Sequence, residues 1–360
     1  MTRLRMFAAP LRYIQGPGAL DALPGVLAPY GEHPLVVTDP YVRELLGARV
    51  AGVLSEAGLA PAVLELPGEI TAAAADELAA SAGAAGAGIV VGIGGGKALD
   101  AAKAVSLRLG LPVVTVPSVA SNDSPTSAAI AMYDGAHRLV AVDRLPANPH
   151  AVVVDTALVA AAPVAFLRSG IGDAVAKKFE AAACRAGTGV TALGTRPLAI
   201  GSVLADACYD VLQASAVAGL AACERGAVDD ALEAVVEAVV LLSGLGFENG
   251  GLSLAHSLTR GLMRARGARE AMHGEQVAWA TLVQRVAEGA PAAEVAELRG
   301  FLVGVGLPTG LAQLGMPAPT AEEVRDIARI TMTAPHLANL TVPATEELVA
   351  GAILAVEALG

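Results

Sequence analysis

An α/β half built on a parallel sheet, followed by an all-helical half, is the fold class this chain predicts. Three observations carry it. Short β-branched runs alternate with helical stretches of 10 to 15 residues up to about residue 155, the pattern of parallel strands with right-handed crossovers. One of those runs enters a cluster of glycines. Beyond residue 163 the β-branched runs thin out and long helical periodicity takes over. The boundary is expected near Ala160–Val164, dividing the chain into 1–162 and 163–360.

Taken in order, Arg12–Gly18 reads as a short strand and turn. Pro34–Asp39 is a second strand ending in an acid, and Val42–Ala57 has helical spacing. Pro61–Leu66 is a third strand. Thr71–Ala82 is a helix with Thr71 as its N-cap. Ile89–Val91 enters the glycines, Leu99–Leu109 is helical, and Pro112–Pro117 is a buried strand. Ala129–Tyr133 and Ala151–Val154 are strand-like. The second half is expected to hold helices over Gly172–Cys184, Leu198–Cys223, Val228–Ser243, Leu252–Leu262, Gly274–Glu288 and Ala321–Thr331. No internal repeat is visible.

Composition narrows the function classes. The 360 residues are 54% hydrophobic, 16% charged and 3% aromatic, as in a globular enzyme with a large core. A net charge of −11 argues against nucleic acid or an anionic membrane as partner. Cys184, Cys208 and Cys223 form no C-x-x-C pair and are expected reduced and buried. Met1–Pro10 is too short for a signal peptide's apolar region, and a cytoplasmic location is expected. Leu78–Gly96 is uncharged for 19 residues, but seven of them are Gly, which suits a helix end and a buried strand better than a membrane span.

The chemistry starts at Ile89–Lys103, IVVGIGGGKALDAAK. Strand, glycine turn and helix start form an anion-binding device, because the backbone can approach a phosphate and the helix offers free N–H groups. Gly92–Lys97 matches neither G-x-G-x-x-G, since Lys97 stands where the third Gly belongs, nor a P-loop, whose spacing and Ser/Thr are missing. Lys occurs four times, as Lys97, Lys103, Lys177 and Lys178.

Of His33, His137, His150, His256, His273 and His336, two stand out. His256 lies early in an apolar helix, and His273 begins another. Buried imidazoles there need partners. Asp173, in SGIGDAVAKKFE, reads either as a first-turn helix carboxylate or as a third ligand. An Asp-His-His set with an open position is the layout of a catalytic rather than a structural zinc.

The segments GIGGGKALDAAKA, VPSVASNDSPTSAAIAMYD, LPANPHAVVVDTALVAAAP, SGIGDAVAKKFEAAAC, LSGLGFENGGLSLAHSL and MHGEQVAWATLVQ, in this order and spacing, resemble the glycerol dehydrogenase family. That family belongs to the superfamily of dehydroquinate synthases and iron-containing alcohol dehydrogenases. The resemblance runs from about Arg12 to Leu354. It implies a dehydroquinate synthase-like fold: a Rossmann-like α/β domain with a parallel sheet, then an all-α domain that binds metal and substrate. It implies an oxidoreductase transferring hydride from a glycerol-like polyol or vicinal diol to NAD, with Zn2+ on Asp173, His256 and His273. Iron-type relatives carry a His four residues after the Asp; here that residue is Lys177, which favours zinc.

The resemblance places the pyrophosphate on Gly94, Gly95, Gly96 and Lys97, with Asp100 beside it, and the adenosine ribose on Asp39. Ser118, Ser121, Ser127, Ala129 and Tyr133 flank the cofactor. Asp123 is the substrate-proximal acid and Phe247 a pocket wall, with His256 also facing substrate. The implied partners are a small alcohol or ketone and copies of the chain, octamers being common in the family. Two features depart from the pattern. Lys177 and Lys178 are expected on a solvated helix face; the alternative is a dehydrogenase or redox-neutral cyclase acting on a phosphorylated or cyclitol-like substrate. Asn122 and the arginines Arg264, Arg266 and Arg269 either reshape the pocket or lie on a loop.

Overall fold

A computed structural model describes residues 4–66, 68–83, 86–135 and 138–359; His137 lies outside the described residues. The first part runs β1 (Tyr13–Gly16), α1 (Leu23–Leu27), β2 (Leu35–Thr38), α2 (Pro40–Glu56), β3 (Ala62–Glu65), α3 (Ala72–Gly83), β4 (Val90–Gly94), α4 (Gly96–Leu109), β5 (Val113–Pro117), β6 (Ala129–Tyr133), β7 (Leu139–Arg144) and β8 (Ala151–Asp155). Six strands make one parallel sheet, in the order β1-β8-β5-β4-β2-β3, and β6 and β7 pair as an antiparallel hairpin.

The strands are short Val/Ile runs because both faces of the sheet are covered. Alternate residues point to opposite faces. Val36, Val91, Val114 and Val153 pack with Leu46, Val50 and Leu54 of α2. Leu35, Val37, Val90 and Val113 pack with Ala101 and Val105 of α4 and with Ile130 and Met132 of the hairpin. The chain steps from β2 out to β3 and returns to β4 on the other side of β2. The strand order therefore reverses between β2 and β4, which opens a crevice at their carboxyl ends, the usual ligand site of such sheets.

From Thr156 onward every described element is helical: α5 (Thr156–Ala161), α6 (Val164–Ala186), α7 (Ala199–Glu224), α8 (Asp230–Glu237), α9 (Ser243–Gly250), α10 (Leu254–Leu262), α11 (His273–Ala287), α12 (Ala292–Gly304), α13 (Ala321–Thr331) and α14 (Glu346–Glu357). The fold class expected from the sequence is thus the one observed. A π-helical turn, Ala238–Leu242, joins α8 to α9. Trp279 is fully buried in the helical core, its indole N–H donating to Glu357 at 3.0 Å. Among the described residues α7 alone is long and apolar enough to cross a membrane by length and composition; its Cys208, Leu212, Ala216 and Leu220 lie in that same core. Cys184, Cys208 and Cys223 are buried free thiols.

The two parts are tied by the fully buried carboxylate of Glu248 on α9. It accepts from the Ala128 N–H at 2.9 Å, from the Arg144 guanidinium at 3.0 Å and from the Asn148 amide.

Candidate active site

Helix α6 supplies the centre of the site. Asp173, Lys177 and Glu180 stand at i, i+4 and i+7, hence on one face, and all three are buried. Two glycines allow a second helix to meet that face. A methyl on Gly172 would stand 2.3 Å from the Gly274 carbonyl oxygen, and one on Gly274 only 1.7 Å from that of Ser169. Only bare backbone permits α6 and the start of α11 to approach so closely, and that approach carries His273, the first residue of α11, to Asp173.

Glu180 positions the third element. One of its oxygens accepts the backbone N–H groups of Ser253 at 2.7 Å and His256 at 3.0 Å, capping the start of α10. The other meets His256 Nδ1 at 2.5 Å. This fixes the imidazole with Nε2 turned toward Asp173 Oδ1, 3.0 Å away, and His273 Nε2 lies 3.9 Å from the same oxygen. A carboxylate behind a ligating histidine is the usual way such a ring is oriented.

The ligand atoms of Asp173, His256 and His273 all lie within 4.8 Å of one another. The donor set suits a divalent ion on charge as well. With neutral imidazoles, the buried carboxylates of Asp173 and Glu180 and the mostly buried one of Asp123, set against one ammonium, leave two negative charges for the ion to cancel. In the metal-free site, burial pulls the His256 pKa down, but the Glu180 and Asp173 carboxylates outweigh it and the value rises to about 9. Burial also works against ionised Asp173, yet Lys177 and His256 hold its pKa well below the usual carboxylate range.

Lys177 is not on a solvated face, contrary to the expectation. Its side chain is 1% exposed, and its ammonium pairs with Asp173 at 2.6 Å and Asp123 at 3.1 Å. The reason is the helix face it shares with Asp173 and Glu180, which points into the domain. Lys178, one residue on, does face outward, over the Tyr209 ring and toward Asp206 and Asp210. Asp123 also accepts from the Ser243 hydroxyl at 3.2 Å. Burial and the nearby Asp173 raise its pKa, against the pull of Lys177. The Phe247 ring centroid lies 5.9 Å from the Lys177 nitrogen. Arg266 and Arg269 are exposed and pair with Glu323 and Glu270 at the surface, Arg266 in the turn after α10 and Arg269 in a short 3-10 helix, Ala268–Glu270.

The glycine-rich turn occupies the sheet crevice. Gly94 has φ +149°, and a methyl there would stand 2.6 Å from the Ala98 Cβ and 3.1 Å from an Asp39 carboxylate oxygen. Asp39 caps α2 through the Val42 N–H at 2.9 Å. Acid and turn thus lie side by side across β2 and β4. Helix α4 starts at the Gly95 N-cap without a side-chain cap, which suits its first-turn N–H groups to an anion. Ser118 donates its N–H to the Gly94 carbonyl at 3.0 Å.

Other candidates have different surroundings. The Lys97 ammonium is half-exposed and bonds Glu69 at 2.7 Å. Asp100 is buried and accepts from the Ser124 hydroxyl at 2.7 Å, the Ala131 N–H at 3.0 Å and Lys103 at 3.1 Å. It ties the loop to the hairpin. Lys103 adds bonds to the Ser124 and Ala129 carbonyls. Ser127 is buried, and Ala129 and Tyr133 begin and end β6; burial lifts the Tyr133 pKa to about 12.

One loop joins the two halves of the site. A methyl on Gly96 would meet Asn122 Nδ2 at 2.9 Å, while the next residue, Asp123, pairs with Lys177. The Ser169 hydroxyl of α6 bonds the Ser121 carbonyl at 3.4 Å.

The model of the iron-containing alcohol dehydrogenase family matches residues 10–156. A glycerol dehydrogenase of Escherichia coli O6:H1 is 37% identical over 99% of this chain and 97% of its own. The chain belongs to the glycerol dehydrogenase family. As a member it is an alcohol dehydrogenase. A glycolaldehyde reductase of Halobacterium salinarum is 38% identical over 90% of this chain and 88% of its own. The crystal structure of a probable glycerol dehydrogenase from Sinorhizobium meliloti 1021 superposes with a TM-score of 0.93, at 37% identity and 99% coverage of both chains.

Two residues of the site, Glu180 and Ser243, were not singled out from the sequence. Glu180 had a readable signal: its i+7 spacing from Asp173 on a helix of small and apolar residues. Ser243 had none, because it reaches Asp123 only through the π-helical turn before α9.

Proposed function

We propose that this enzyme oxidises a small vicinal diol such as glycerol to an α-hydroxyketone, with NAD as hydride acceptor and zinc held by Asp173, His256 and His273. The observation that carries the reading is the convergence of those three ligand atoms beside Asp123, one residue from the loop that touches the glycine turn. A zinc ion there would act as a Lewis acid on the carbinol oxygen, and bound NAD would take the hydride.

The chain's own groups supply position and specificity. Asp123, anchored by Lys177 and Ser243, is placed to accept a hydrogen bond from the second hydroxyl of a diol. Phe247 walls the pocket. Glu180 keeps His256 Nε2 turned to the metal. Asp39 suits ribose hydroxyls and opposes a 2′-phosphate. The relatives named glycerol dehydrogenase support a polyol, and the one named glycolaldehyde reductase extends the range to small hydroxyaldehydes. Lys177 and Lys178 both face carboxylates, which favours a neutral polyol over a phosphorylated one. The same reading puts the enzyme in the cytoplasm as a homo-oligomer.

The test is a panel of glycerol, propanediols, cyclitols, hydroxy acids and phosphorylated polyols with NAD. NADH formation with the vicinal diols is expected. A panel in which no diol yields NADH would overturn the proposal.

A further inference from the structure

We propose that Lys177 is a resident cation of the metal centre: it holds the ligand set together before the metal arrives and weakens the metal's binding afterwards. The inference rests on the metal reading above. Its ammonium lies 2.6 Å from Asp173 Oδ1 and 3.1 Å from His256 Nε2, two of the three atoms that would ligate the ion. It also lies 3.1 Å from Asp123 Oδ2. The Asp173 oxygen it binds is the one that both histidines face. The ammonium therefore holds the Asp173 oxygen that the metal needs and stands beside the His256 nitrogen that would be its second ligand.

Two consequences follow from charge alone. Without metal, the buried carboxylates of Asp173 and Glu180 and the mostly buried one of Asp123 require a cation nearby, and the Lys177 ammonium pairs with Asp173 and Asp123. Removing it leaves uncompensated buried charge, which is strongly destabilising. With metal, a fixed positive charge beside a divalent ion is repulsive, and the low dielectric of the site magnifies this. Taking that charge away strengthens binding.

Lys177→Met keeps the unbranched apolar stem of the side chain and removes the ammonium and its charge. Zinc affinity, measured by competition with a chelating dye, is expected to rise about tenfold or more, while the metal-free protein melts at a lower temperature. The gain in Tm on adding zinc should therefore exceed that of the wild type. Asp123→Asn changes the opposite charge of the same pair, leaves Lys177 less neutralised, and should weaken zinc binding. Opposite signs for the two variants support the proposal. Should both variants bind zinc more weakly, Lys177 only props up the site and the proposal falls. If Lys177→Met does not fold without metal, it is refolded with zinc and the rate of zinc loss to excess chelator is read instead; slower loss than in wild type is expected, and equal or faster loss overturns the proposal. A wild type that binds no zinc at micromolar concentration removes the metal reading itself, and this inference with it.

Discussion

The two halves of the active site are made of different materials. The glycine turn between β4 and α4 is built of backbone: what matters at Gly94 is the absence of a side chain beside Ala98 and Asp39. The centre on α6, α10 and α11 is built of buried charge: Asp173, Lys177, Glu180 and His256 answer one another at 2.5 to 3.1 Å. A backbone site holds an anion without carrying charge of its own. A charged site is costly unless every member is paired, and so it is sensitive to single substitutions in a way the turn is not.

The contrast breaks most sharply at the proposed metal ligands. Asp173→Ala and His256→Ala should each abolish stoichiometric zinc and lower kcat/KM by about a thousandfold or more, with NAD binding, followed by fluorescence, preserved. Gly94→Ala should do the reverse: NAD binding falls by about a hundredfold at the strained position, while zinc content is kept. Loss of both together in either variant would mean that the halves do not act separately.

A finer division runs within the charged half. Glu180→Gln keeps the shape but gives up the carboxylate behind His256, and about 10- to 100-fold in zinc affinity should go with it. The pH dependence of the metal-free protein follows from His256. Its pKa in the folded chain, about 9, lies above the ordinary 6.5, so the stability it contributes is full below pH 6.5 and is lost as pH rises through 9. Denaturation midpoints of metal-free wild type should fall across that window more than those of the His256→Ala variant. The smallest effect is expected at Asp39, where Ser should raise the use of NADP relative to NAD about tenfold and leave zinc content unchanged.

How much of this could be read in advance also differs between the halves. Strands β2, β4, β5 and β8 are Val-rich runs bounded by turn residues, and α13 was read to the residue as Ala321–Thr331, because local chemistry decides such elements. Strand β7 escaped notice: its exposed face carries Val140 and Val142, so the usual alternation of buried and solvated residues is blurred. At the site, the candidate set Asp173, His256 and His273, whose side chains the fold brings together, was legible from residue type and from resemblance. The setting of Lys177 was not. A lysine beside a second lysine suggests a solvated face, and only the packing of α10 and α11 against α6 makes that face interior. Glu180 was hidden in the same way, although the spacing of Asp173, Lys177 and Glu180 marks one face of α6.

In the proposed function, a divalent metal on Asp173, His256 and His273 is required for oxidation. The direct measurement removes metal with a chelator, returns zinc in steps, and records NADH formation from glycerol or propanediol against bound zinc. Activity should vanish on removal and climb linearly to a plateau at one zinc per chain. Full activity in protein stripped of metal would contradict the account.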